Sequence, residues 1–392
     1  MTVAGRDVAV VGAGIGGLAA ALLLARAGAS VTLLERRAEG AEVGAGLLLQ
    51  PNGLAVLAGL GLDGPLRRAG HPVRRMVVHA GGRTPIMDVP CDALAVRRAD
   101  LYRVLLDAVA AEPAVSCRFC AEVTAADSTG SVDLGWAGRS GTLTADLVIG
   151  ADGVHSTIRA AGEFAASEPV PGRRYLRGLV PLVDGVDLAG EHWTAAGLFG
   201  GAPVDRRTQY FYCSAGSPPV AEALRAGDLG QLRRAWAAAL PLAGRVLDAV
   251  RELDDLLVTE VAVVHCERWH DGRTVLLGDA AHAMAPHAGQ GANSALIDAA
   301  VLTAELADQP RLYPALERYS RRRLPAVRRV QDRAQTLARL AEIGPAAPRL
   351  ARDLLVRALT RLPGAARRTM RDLQQEDPAA LRRTVAALAR VR

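Results

Sequence analysis

The stretch DVAVVGAGIGG at residues 7–17 decides the fold, because it joins a short apolar strand to a glycine-rich turn. Residues 7–11 have the length and polarity of a buried strand, and the apolar run 18–27 after the turn is long enough for a helix. Gly28 ends that helix, and Val31–Glu35 forms the next strand. A strand, a helix and a second strand in this order make a βαβ unit, so the sequence predicts an α/β fold with parallel strands.

The glycines of this turn have the GxGxxG spacing of a dinucleotide-binding loop. The first glycine allows a tight turn, the second lets the backbone approach a pyrophosphate, and the third lets helix and strand pack closely. Free N–H groups at the start of the helix attract the phosphates. The acid that ends the second strand can hold the ribose hydroxyls and argues against a 2′-phosphate. The residues predicted to contact the dinucleotide are Gly12, Gly14, Ile15, Gly16, Gly17, Glu35 and Arg36.

The composition excludes several classes of function. The 392-residue chain is 50% hydrophobic, which allows a large buried core, and its length favours two lobes. All 47 basic residues are arginine and the net charge is +6. These arginines alternate with acids and form no aromatic-studded basic groove, so we expect no nucleic-acid partner. Residues 8–25 form an apolar run without charges, but they contain the spaced glycines of the turn and are assigned to strand, turn and helix; no run elsewhere reaches about 18 charge-free apolar residues, so no membrane span is expected.

The five cysteines are scattered, and only Cys117 and Cys120 form a C-x-x-C pair. A zinc site needs a second pair or suitably spaced histidines, and neither follows. The pair lies in a predicted strand, where residues three apart face opposite sides, so we expect a structural role for both. The odd number and irregular spacing of the cysteines favour a reducing compartment, and we expect a cytoplasmic protein.

Downstream of residue 70, predicted strands cluster in the middle of the chain and helices close it. A lobe rich in antiparallel strands is therefore inserted into the dinucleotide fold. The predicted elements are a hairpin around residues 80–83, a helix over 100–111, strands at 115–136 and 142–149 joined by the turn 138–141, strands over 172–216, helices over 218–251, strands at 256–266 and 274–277, a helix over 290–307, and helices over 311–392 with breaks near 344–345 and 363–364.

Two further motifs each place a glycine beside an acid after a buried strand. The first is Asp152-Gly153, which follows the strand DLVIG, and the second is Gly278-Asp279, which follows TVLL. At the end of its strand, Asp279 can accept hydrogen bonds from ribityl hydroxyls. The glycine-rich run after Pro286 leads into a helix whose N-terminus can face a flavin carbonyl.

With these three motifs in this order, the chain resembles the single-component FAD-dependent aromatic hydroxylases, the 4-hydroxybenzoate and salicylate hydroxylase family, from about residue 5 to 340. Further matches are Gly44-Ala-Gly46 with Pro51-Asn52, and Arg98-Ala-Asp-Leu101. The resemblance implies an α/β fold in which a Rossmann-like FAD-binding domain carries an inserted, sheet-floored substrate domain and C-terminal helices. The division expected is 1–70, 98–165 and 268–310 for the FAD-binding domain, 71–97 and 166–267 for the substrate domain, and 311–392 for the C-terminal helical segment.

The resemblance also implies roles for individual residues. The loop Gly44-Ala45-Gly46 borders the isoalloxazine, and Arg98, with Arg97 as the alternative beside it, contacts FAD. His282 is expected to be structural or close to the phosphates and not a base. The remaining residues expected to contact FAD are Asp152, Gly153, Gly278, Asp279, Pro286, Gly289, Gln290, Gly291, Ala292 and Asn293.

The activity implied is that of a monooxygenase using FAD, O2 and NADH or NADPH. In such a cycle the pyridine nucleotide reduces the flavin, O2 adds at the flavin C4a to give a hydroperoxide, and one oxygen atom passes to an aromatic or other electron-rich small molecule. The sequence contains one nucleotide fingerprint, so NAD(P)H is expected to dock transiently. Reduction and oxygenation need different exposure of the flavin, so movement of the flavin ring or of the loop 40–53 is expected to control that exposure. The protein is expected to be a monomer or a homodimer.

A phenolic substrate needs a polar group that helps to remove its proton. His287, beside Pro286, is the favoured contact for substrate or peroxide. Tyr210 and Tyr212 share one strand face and are further candidates, although both could equally be core residues with satisfied hydroxyls. His192 is the third candidate and is expected to lie on the surface. The expected catalytic residues are therefore Pro286, His287, Tyr210 and Tyr212.

Other activities remain open on the same scaffold. An epoxidase acting on an isolated double bond needs no phenol base, and a dehydrogenase or reductase would use FAD without inserting oxygen. A flavin-dependent halogenase is disfavoured because it is expected to use a catalytic lysine, and this chain has no lysine. A binding protein with structural FAD is disfavoured by the complete set of flavin motifs.

Overall fold

The computed structural model describes residues 3–40, 44–81, 84–167, 170–362, 364 and 371–389. The strands are β1 (Asp7–Val11), β2 (Ser30–Leu34), β3 (Gly46–Leu49), β4 (His71–Ala80), β5 (Thr84–Arg97), β6 (Val115–Arg118), β7 (Ala121–Ala126), β8 (Ser131–Trp136), β9 (Arg139–Thr144), β10 (Leu147–Gly150), β11 (Val170–Pro181), β12 (Gly190–Thr194), β13 (Gly197–Pro203), β14 (Thr208–Ser214), β15 (Leu257–Val263), β16 (His270–Asp271) and β17 (Thr274–Leu276). The helices are α1 (Ile15–Arg26), α2 (Pro51–Gly59), α3 (Asp63–Ala69), α4 (Arg98–Ala110), α5 (Thr157–Ala161), α6 (Pro218–Ala226), α7 (Leu229–Ala239), α8 (Pro241–Leu247), α9 (Asp279–His282), α10 (Gly291–Asp308), α11 (Leu312–Ala341), α12 (Ala346–Arg361) and α13 (Pro378–Leu388), with short 3-10 turns at Leu253–Asp255 and Pro286–Ala288.

A six-stranded sheet has the order β16-β17-β10-β1-β2-β6. Its strands are parallel except for β16, and α1 packs against the sheet with its apolar residues fully buried. The carboxyl ends of parallel strands meet at one edge, so the turns after β1, β2, β10 and β17 lie together there. This sheet confirms the predicted Rossmann-like βαβ unit.

Two boundaries of that unit differ from the prediction. Helix α1 begins at Ile15 rather than at residue 18, because the backbone is already helical after the extended Gly14. Strand β2 ends at Leu34, which leaves Glu35 just beyond the strand rather than inside it. The first turn of α1 therefore starts within the glycine motif itself.

An eight-stranded sheet, in the order β15-β11-β14-β13-β12-β4-β5-β3, forms the second layer. Its pairs are antiparallel apart from β12 with β4. The predicted hairpin is confirmed by the pairing of β4 with β5, although residues 82 and 83 of its turn lie outside the described residues. Residues 41–43 of the segment expected to act as a gate also lie outside them, while 46–49 form β3.

The two faces of the eight-stranded sheet have different surroundings. Phe211 and Cys213 of β14 point toward α6, α7 and α8 and are fully buried there with Trp236. The ring of Phe199 stacks on Phe211 at 5.7 Å and meets Trp236 edge-on at 5.2 Å. Thr208, Tyr210 and Tyr212 alternate with these residues of β14, are less buried and face the opposite side, where Tyr210 packs on Gly46.

The region 115–144 differs from the predicted pair of strands. It contains β6 and then a small sheet of β7, β8 and β9. The turn between β8 and β9 consists of Ala137 and Gly138, both with positive φ, because a two-residue hairpin needs that geometry; Arg139 already belongs to β9. Cys120 lies in a turn and not in a strand, whereas Cys117 is in β6, and both are free thiols.

The described residues after 311 are mostly helical, as predicted. Helix α11 packs on α10 and α13 packs on α2, whereas α12 lies against β5. The predicted break at 344–345 separates α11 from α12, and the second break follows the end of α12, although Pro363 itself lies outside the described residues. Within the described ranges no helix is both long and apolar enough to cross a bilayer.

We expect Trp236→Ala to lower the free energy of unfolding by about 3–5 kcal/mol, because it empties a fully buried site beneath the eight-stranded sheet. Leu354→Ala on α12 is the matched control, since the Leu354 side chain is 60% exposed and its removal should cost less than about 0.5 kcal/mol. Urea unfolding followed by circular dichroism measures both. Equal costs for the two variants would show that this cluster is not a tightly packed core.

Candidate active site

In the turn after β1, contacts within the backbone leave no room for a side chain at Gly12 or Gly17. Gly12 has φ +101°, and a Cβ on Gly17 would lie 1.8 Å from the Gly12 carbonyl oxygen. A Cβ on Gly14, in contrast, would meet nothing within 4 Å. The space beside Gly14 is therefore open to a ligand, while Gly12 and Gly17 are required by the protein's own backbone.

The predicted residues around this turn divide into two groups. Ile15 is buried in the core, and Gly16 packs closely against Leu277, so both serve the contact between helix and sheet. The Glu35 carboxylate accepts hydrogen bonds from the backbone N–H of Ala13 at 2.8 Å and of Arg37 at 2.9 Å. A carboxylate has about four acceptor positions, so two remain for ribose hydroxyls. Arg36 is exposed beside it.

The turn after β17 is held by a buried ionic network. The carboxylate of Asp298 on α10 accepts from the backbone N–H of Gly278 at 3.0 Å and from Arg323 Nε at 2.7 Å, and its second partner side chain is His282. Burial alone would raise the pKa of Asp298, but His282 and Arg323 outweigh it and hold that pKa at about 2. His282 is thus structural, as expected. The Asp279 side chain is exposed at the edge of the sheet.

The segment after Pro286 is tied to the residues that follow β3. Gln290 donates to Gln50 Oε1 at 2.7 Å and accepts from Asn52 at 3.0 Å. Asn293 accepts from the backbone N–H of Gln50 at 3.0 Å. The Gln290 and Asn293 side chains already form hydrogen bonds within the protein, so a ligand at this segment would contact its backbone groups. Since α10 has no side-chain cap at its start, the first N–H groups of Gly291 and Ala292 remain available.

The loop Gly44-Ala45-Gly46 lies between an arginine and a tyrosine. The Arg98 backbone N–H donates to the Ala45 carbonyl at 2.9 Å, and a Cβ on Gly46 would lie 2.4 Å from Tyr210 Cγ. Only glycine at position 46 allows the Tyr210 ring this close to the loop. Arg97 points elsewhere and forms an ion pair with Asp205 at 2.6 Å. Of the two neighbouring arginines, Arg98 is the one beside this loop.

These features fit an FAD molecule lying along the carboxyl edge of the parallel sheet. The open space at Gly14 and Gly291 and the uncapped first turns of α1 and α10 suit phosphates and a flavin carbonyl. Asp152 supports the fold instead, because its partly buried carboxylate accepts hydrogen bonds from the Ser156 hydroxyl at 2.5 Å and from the Ile158 N–H at 3.2 Å. The segment Asp152-Gly153 therefore supports the edge by fixing the start of α5.

Polar and aromatic side chains share the face of the eight-stranded sheet that looks toward this edge. The pairing of β11 with β14 places Arg177 opposite Tyr212 and Tyr175 opposite Ser214. Directly opposed residues project on the same side of a sheet. The rings of Tyr210 and Tyr212 stack at 5.5 Å. We call this the site face; it consists of Tyr175, Arg177, Tyr210, Tyr212 and Ser214.

The two candidate tyrosines differ in their partners. The Tyr212 hydroxyl donates to the buried Glu191 at 2.8 Å, and Trp193 donates to the second oxygen of that carboxylate at 3.0 Å. Burial raises the pKa of Glu191 and also the pKa of Tyr210 and of Tyr212, in the last case with the nearby Glu191 charge adding to the effect. Neither tyrosine is therefore poised to lose its proton, and both serve as ring surfaces and hydrogen-bonding groups.

His287 is connected to the site face through Tyr175. The Tyr175 hydroxyl donates to Glu342 at 2.8 Å, and its oxygen lies 3.2 Å from His287 Nε2. Since the hydroxyl proton points to Glu342, the oxygen accepts from Nε2–H, and neutral His287 keeps its lone pair on Nδ1. Nδ1 is buried without a hydrogen-bond partner among the described residues. Burial, together with Arg173 and Arg177, lowers the pKa of His287 to about 4.

His192 is not brought to the site. It is only 5% exposed, which corrects the expectation of a surface position, and its ring stacks on His79 at 4.7 Å. It lies opposite Phe199 in the pairing of β12 with β13, on the side of the sheet away from the site face. The physical reason is the parallel pairing of β12 with β4, which brings the two imidazoles together.

Several residues of the site were not identified from the sequence. Arg173, Tyr175 and Arg177 alternate along β11, a period of two that marks one strand face and that could have shown them. Glu342 follows the end of α11 and receives hydrogen bonds from Arg173, Tyr175 and Ser214. No local pattern around Glu342 predicts that contact, because its partners lie more than a hundred residues away in sequence.

Comparison with known proteins adds to this geometry. The family described as "FAD binding domain" matches residues 6–334. The chain is 34% identical to 3-amino-4-hydroxybenzoate 2-monooxygenase of Streptomyces cremeus over 84% of its length and 86% of that protein. It is 31% identical to 2-heptyl-3-hydroxy-4(1H)-quinolone synthase of Mycobacteroides abscessus, over 90% and 94%. Among solved structures, a variant of HpxO from Klebsiella pneumoniae complexed with FAD matches with a TM-score of 0.75 and 26% identity, covering 93% of this chain and 97% of that one.

We expect Gly14→Ala to weaken FAD binding without weakening the fold, because the added methyl group meets no protein atom but enters the space predicted for the pyrophosphate. Gly135→Ala is the matched control, since a Cβ there is equally free of contacts and lies on the three-stranded sheet. Flavin fluorescence titration gives the FAD affinity and thermal unfolding of the apoprotein gives stability. Unchanged FAD affinity in Gly14→Ala would place the pyrophosphate elsewhere.

The depressed pKa of His287 predicts a stability that depends on pH. The unfolded imidazole binds a proton below its ordinary pKa of about 6.5, whereas the folded one does so only near 4, so stability is complete above pH 6.5 and is lost as the pH falls toward 4. Between pH 7 and pH 5 we expect wild type to lose about 1–2 kcal/mol more than His287→Gln in urea unfolding. Equal losses would mean that His287 titrates normally.

Proposed function

The chain belongs to the FAD-binding family of aromatic monooxygenases, and from that premise we propose that it inserts one oxygen atom of O2 into a small hydroxylated aromatic compound, with NADH or NADPH as reductant. The observation that supports this most directly is the contact between Gly46 and Tyr210. It joins the loop expected at the flavin ring to the site face, so an aromatic substrate on that face would lie next to the flavin.

The site face is suited to an aromatic ring. The stacked rings of Tyr210 and Tyr212 offer a flat apolar surface, and none of the described residues forms a hydrogen bond with the Tyr210 hydroxyl. Arg177 stands on the same face and carries a positive charge that acts on Tyr210, Tyr212 and His287. A substrate held between this face and His287 would therefore feel a positive potential at its hydroxyl.

The proton of a phenolic substrate has an acceptor in this arrangement. The lone pair on His287 Nδ1 is fixed by the hydrogen bond from Nε2–H to Tyr175, which is oriented in turn by Glu342. Arg173 and Arg177 lower the pKa of His287, and the same positive charges would lower the pKa of a nearby phenol and favour its phenolate. We propose that His287 accepts the hydrogen bond of the substrate hydroxyl and that the two arginines stabilise its anion.

FAD, when bound, supplies the chemistry that activates O2, and the protein orients the substrate and keeps water away. We propose Pro286, His287, Tyr210 and Tyr212 for the substrate side. For the cofactor we propose the backbone at Gly12, Gly14, Gly291 and Ala292, the carboxylates of Glu35 and Asp279, the loop 44–46 and Arg98. Asp152, Gly153, Gln290 and Asn293 then act by holding these segments in place.

The division of the chain follows the same proposal. Residues 1–70, 98–165 and 268–310 would carry FAD, residues 71–97 and 166–267 would carry the substrate, and 311–392 would cover the first part. Glu342 shows why the last segment matters, because it lies beyond α11 and yet receives the Tyr175 hydrogen bond. For the solution state we propose a monomer or homodimer.

The test is rapid mixing of the FAD-loaded protein with NADH or NADPH, anaerobically and then in air, with aminophenols, hydroxybenzoates and hydroxyquinolines. We expect one compound to accelerate flavin reduction and to be recovered with one added oxygen atom. Its O-methyl ether, which has no proton to give to His287, is the matched control and should react more slowly. Reduction that no compound accelerates, with all oxygen recovered as H2O2, would contradict the proposal.

A further inference from the structure

A strongly positive cleft of about 640 Å³ opens between the end of α3 and the turn that joins β13 to β14. This volume is in the range of about 300–1,000 Å³ that small-molecule sites occupy. The charged residues that line it are Arg67, Arg68, Arg97, Asp205, Arg206 and Arg207. No function proposed above uses this cleft.

The positive charge of the cleft is only partly neutralised. The Asp205 carboxylate accepts from Arg97 at 2.6 Å and from the backbone N–H groups of Arg207 and Thr208, both at 2.7 Å. Arg67 is paired with Asp63 at 2.9 Å. Among the described residues, none forms an ion pair with Arg68, Arg206 or Arg207. Three guanidinium groups therefore face one cleft without a counter-charge, which is the arrangement that attracts a ligand with several negative charges.

The cleft adjoins the loop expected at the flavin. Arg97, which lines it, pairs with Gly46 across β3 and β5, and the next residue donates its backbone N–H to Ala45. Thr208, at the other wall, lies two residues before Tyr210 on β14, and the Tyr210 ring packs on Gly46. A ligand whose charged part occupies the cleft could thus extend an uncharged part to the loop 44–46.

We propose that this cleft binds the phosphate groups of the reduced pyridine nucleotide and so delivers the nicotinamide to the flavin. The inference rests on the proposed function, which requires a second dinucleotide although the single glycine fingerprint of the sequence is used by FAD. Arginine forks bind phosphate oxygens in pairs, and an open cleft suits a ligand that must leave after each turnover. In the reduction of the flavin, two electrons and one proton leave the dihydronicotinamide as a hydride, which yields NAD(P)+ and reduced flavin.

The test compares Arg206→Gln/Arg207→Gln with Arg225→Gln, each loaded with FAD. Arg206 and Arg207 are exposed in a turn, so their replacement should not disturb folding, and Arg225 is an exposed arginine of α6 outside the cleft. Anaerobic stopped-flow mixing with NADH and NADPH gives two quantities for each protein. One is the limiting rate of flavin reduction, and the other is the nucleotide concentration at half that rate.

For the double variant we expect the half-saturating concentration of the nucleotide to rise about tenfold or more, because two charged contacts to phosphate are lost. The limiting rate should stay unchanged, since the flavin and the site face are untouched. Added salt should weaken nucleotide binding more in wild type than in the double variant. An unchanged half-saturating concentration, or a lower limiting rate alone, would overturn the proposal.

A second measurement separates this inference from the proposed function. Isothermal titration of the FAD-loaded protein with ADP-ribose reports binding of the pyrophosphate without any redox step, and bound FAD already fills the first nucleotide site. We expect binding in wild type and Arg225→Gln, and a loss of about tenfold or more in affinity in the double variant. If wild-type flavin is not reduced by either nucleotide, the proposed function fails, while equal ADP-ribose affinity in all three proteins would overturn the cleft proposal by itself.

Discussion

The buried carboxylate of Asp298 is the interaction on which the cofactor side of the molecule depends. It connects α10 with the Gly278 backbone, with His282 of α9 and with Arg323 of α11. Loss of one partner would leave an uncompensated buried charge, which costs about 3–5 kcal/mol. Because Asp279 follows Gly278 and the glycine-rich segment precedes α10, the same carboxylate fixes how far the exposed acid lies from the start of α10, the helix end that we propose for the flavin. Through Arg323, the long helix α11 thereby helps to hold the turn after β17 in place.

The eight-stranded sheet separates packing from chemistry by the alternation of its strands. On one side Phe211 and its neighbours form a closed apolar core with α7. On the other side, the residues one position along each strand carry rings, an arginine and hydroxyls, and Tyr210 among them packs on Gly46. The register between β11 and β14 determines which residues lie opposite each other. A shift of this register by one residue would move the side chains of the shifted strand to the other face of the sheet. The packing of the core and the composition of the site face therefore depend on the same strand register.

The βαβ unit of the parallel sheet could be predicted because its signals are local. The strand, turn and helix of residues 7–26 lie next to one another in sequence, and Glu35 follows within one further strand. The contacts around the site face are long-range: His287 meets Tyr175 across 112 residues, and Tyr175 meets Glu342 across 167. Such contacts depend on strand register and on the course of α11, which no local pattern specifies. The burial of His192 against His79 was missed for the same reason.

The most direct test of the account is a crystal structure of the protein with FAD and an accepted phenol. The account predicts the isoalloxazine between the loop 44–46 and the segment 286–291, with the phenol on the site face beside Tyr210. The phenol oxygen should lie about 3 Å from His287 Nδ1, within hydrogen-bonding distance. A flavin ring away from Gly46, or a substrate bound on the side of the sheet that carries Phe211, would contradict the account.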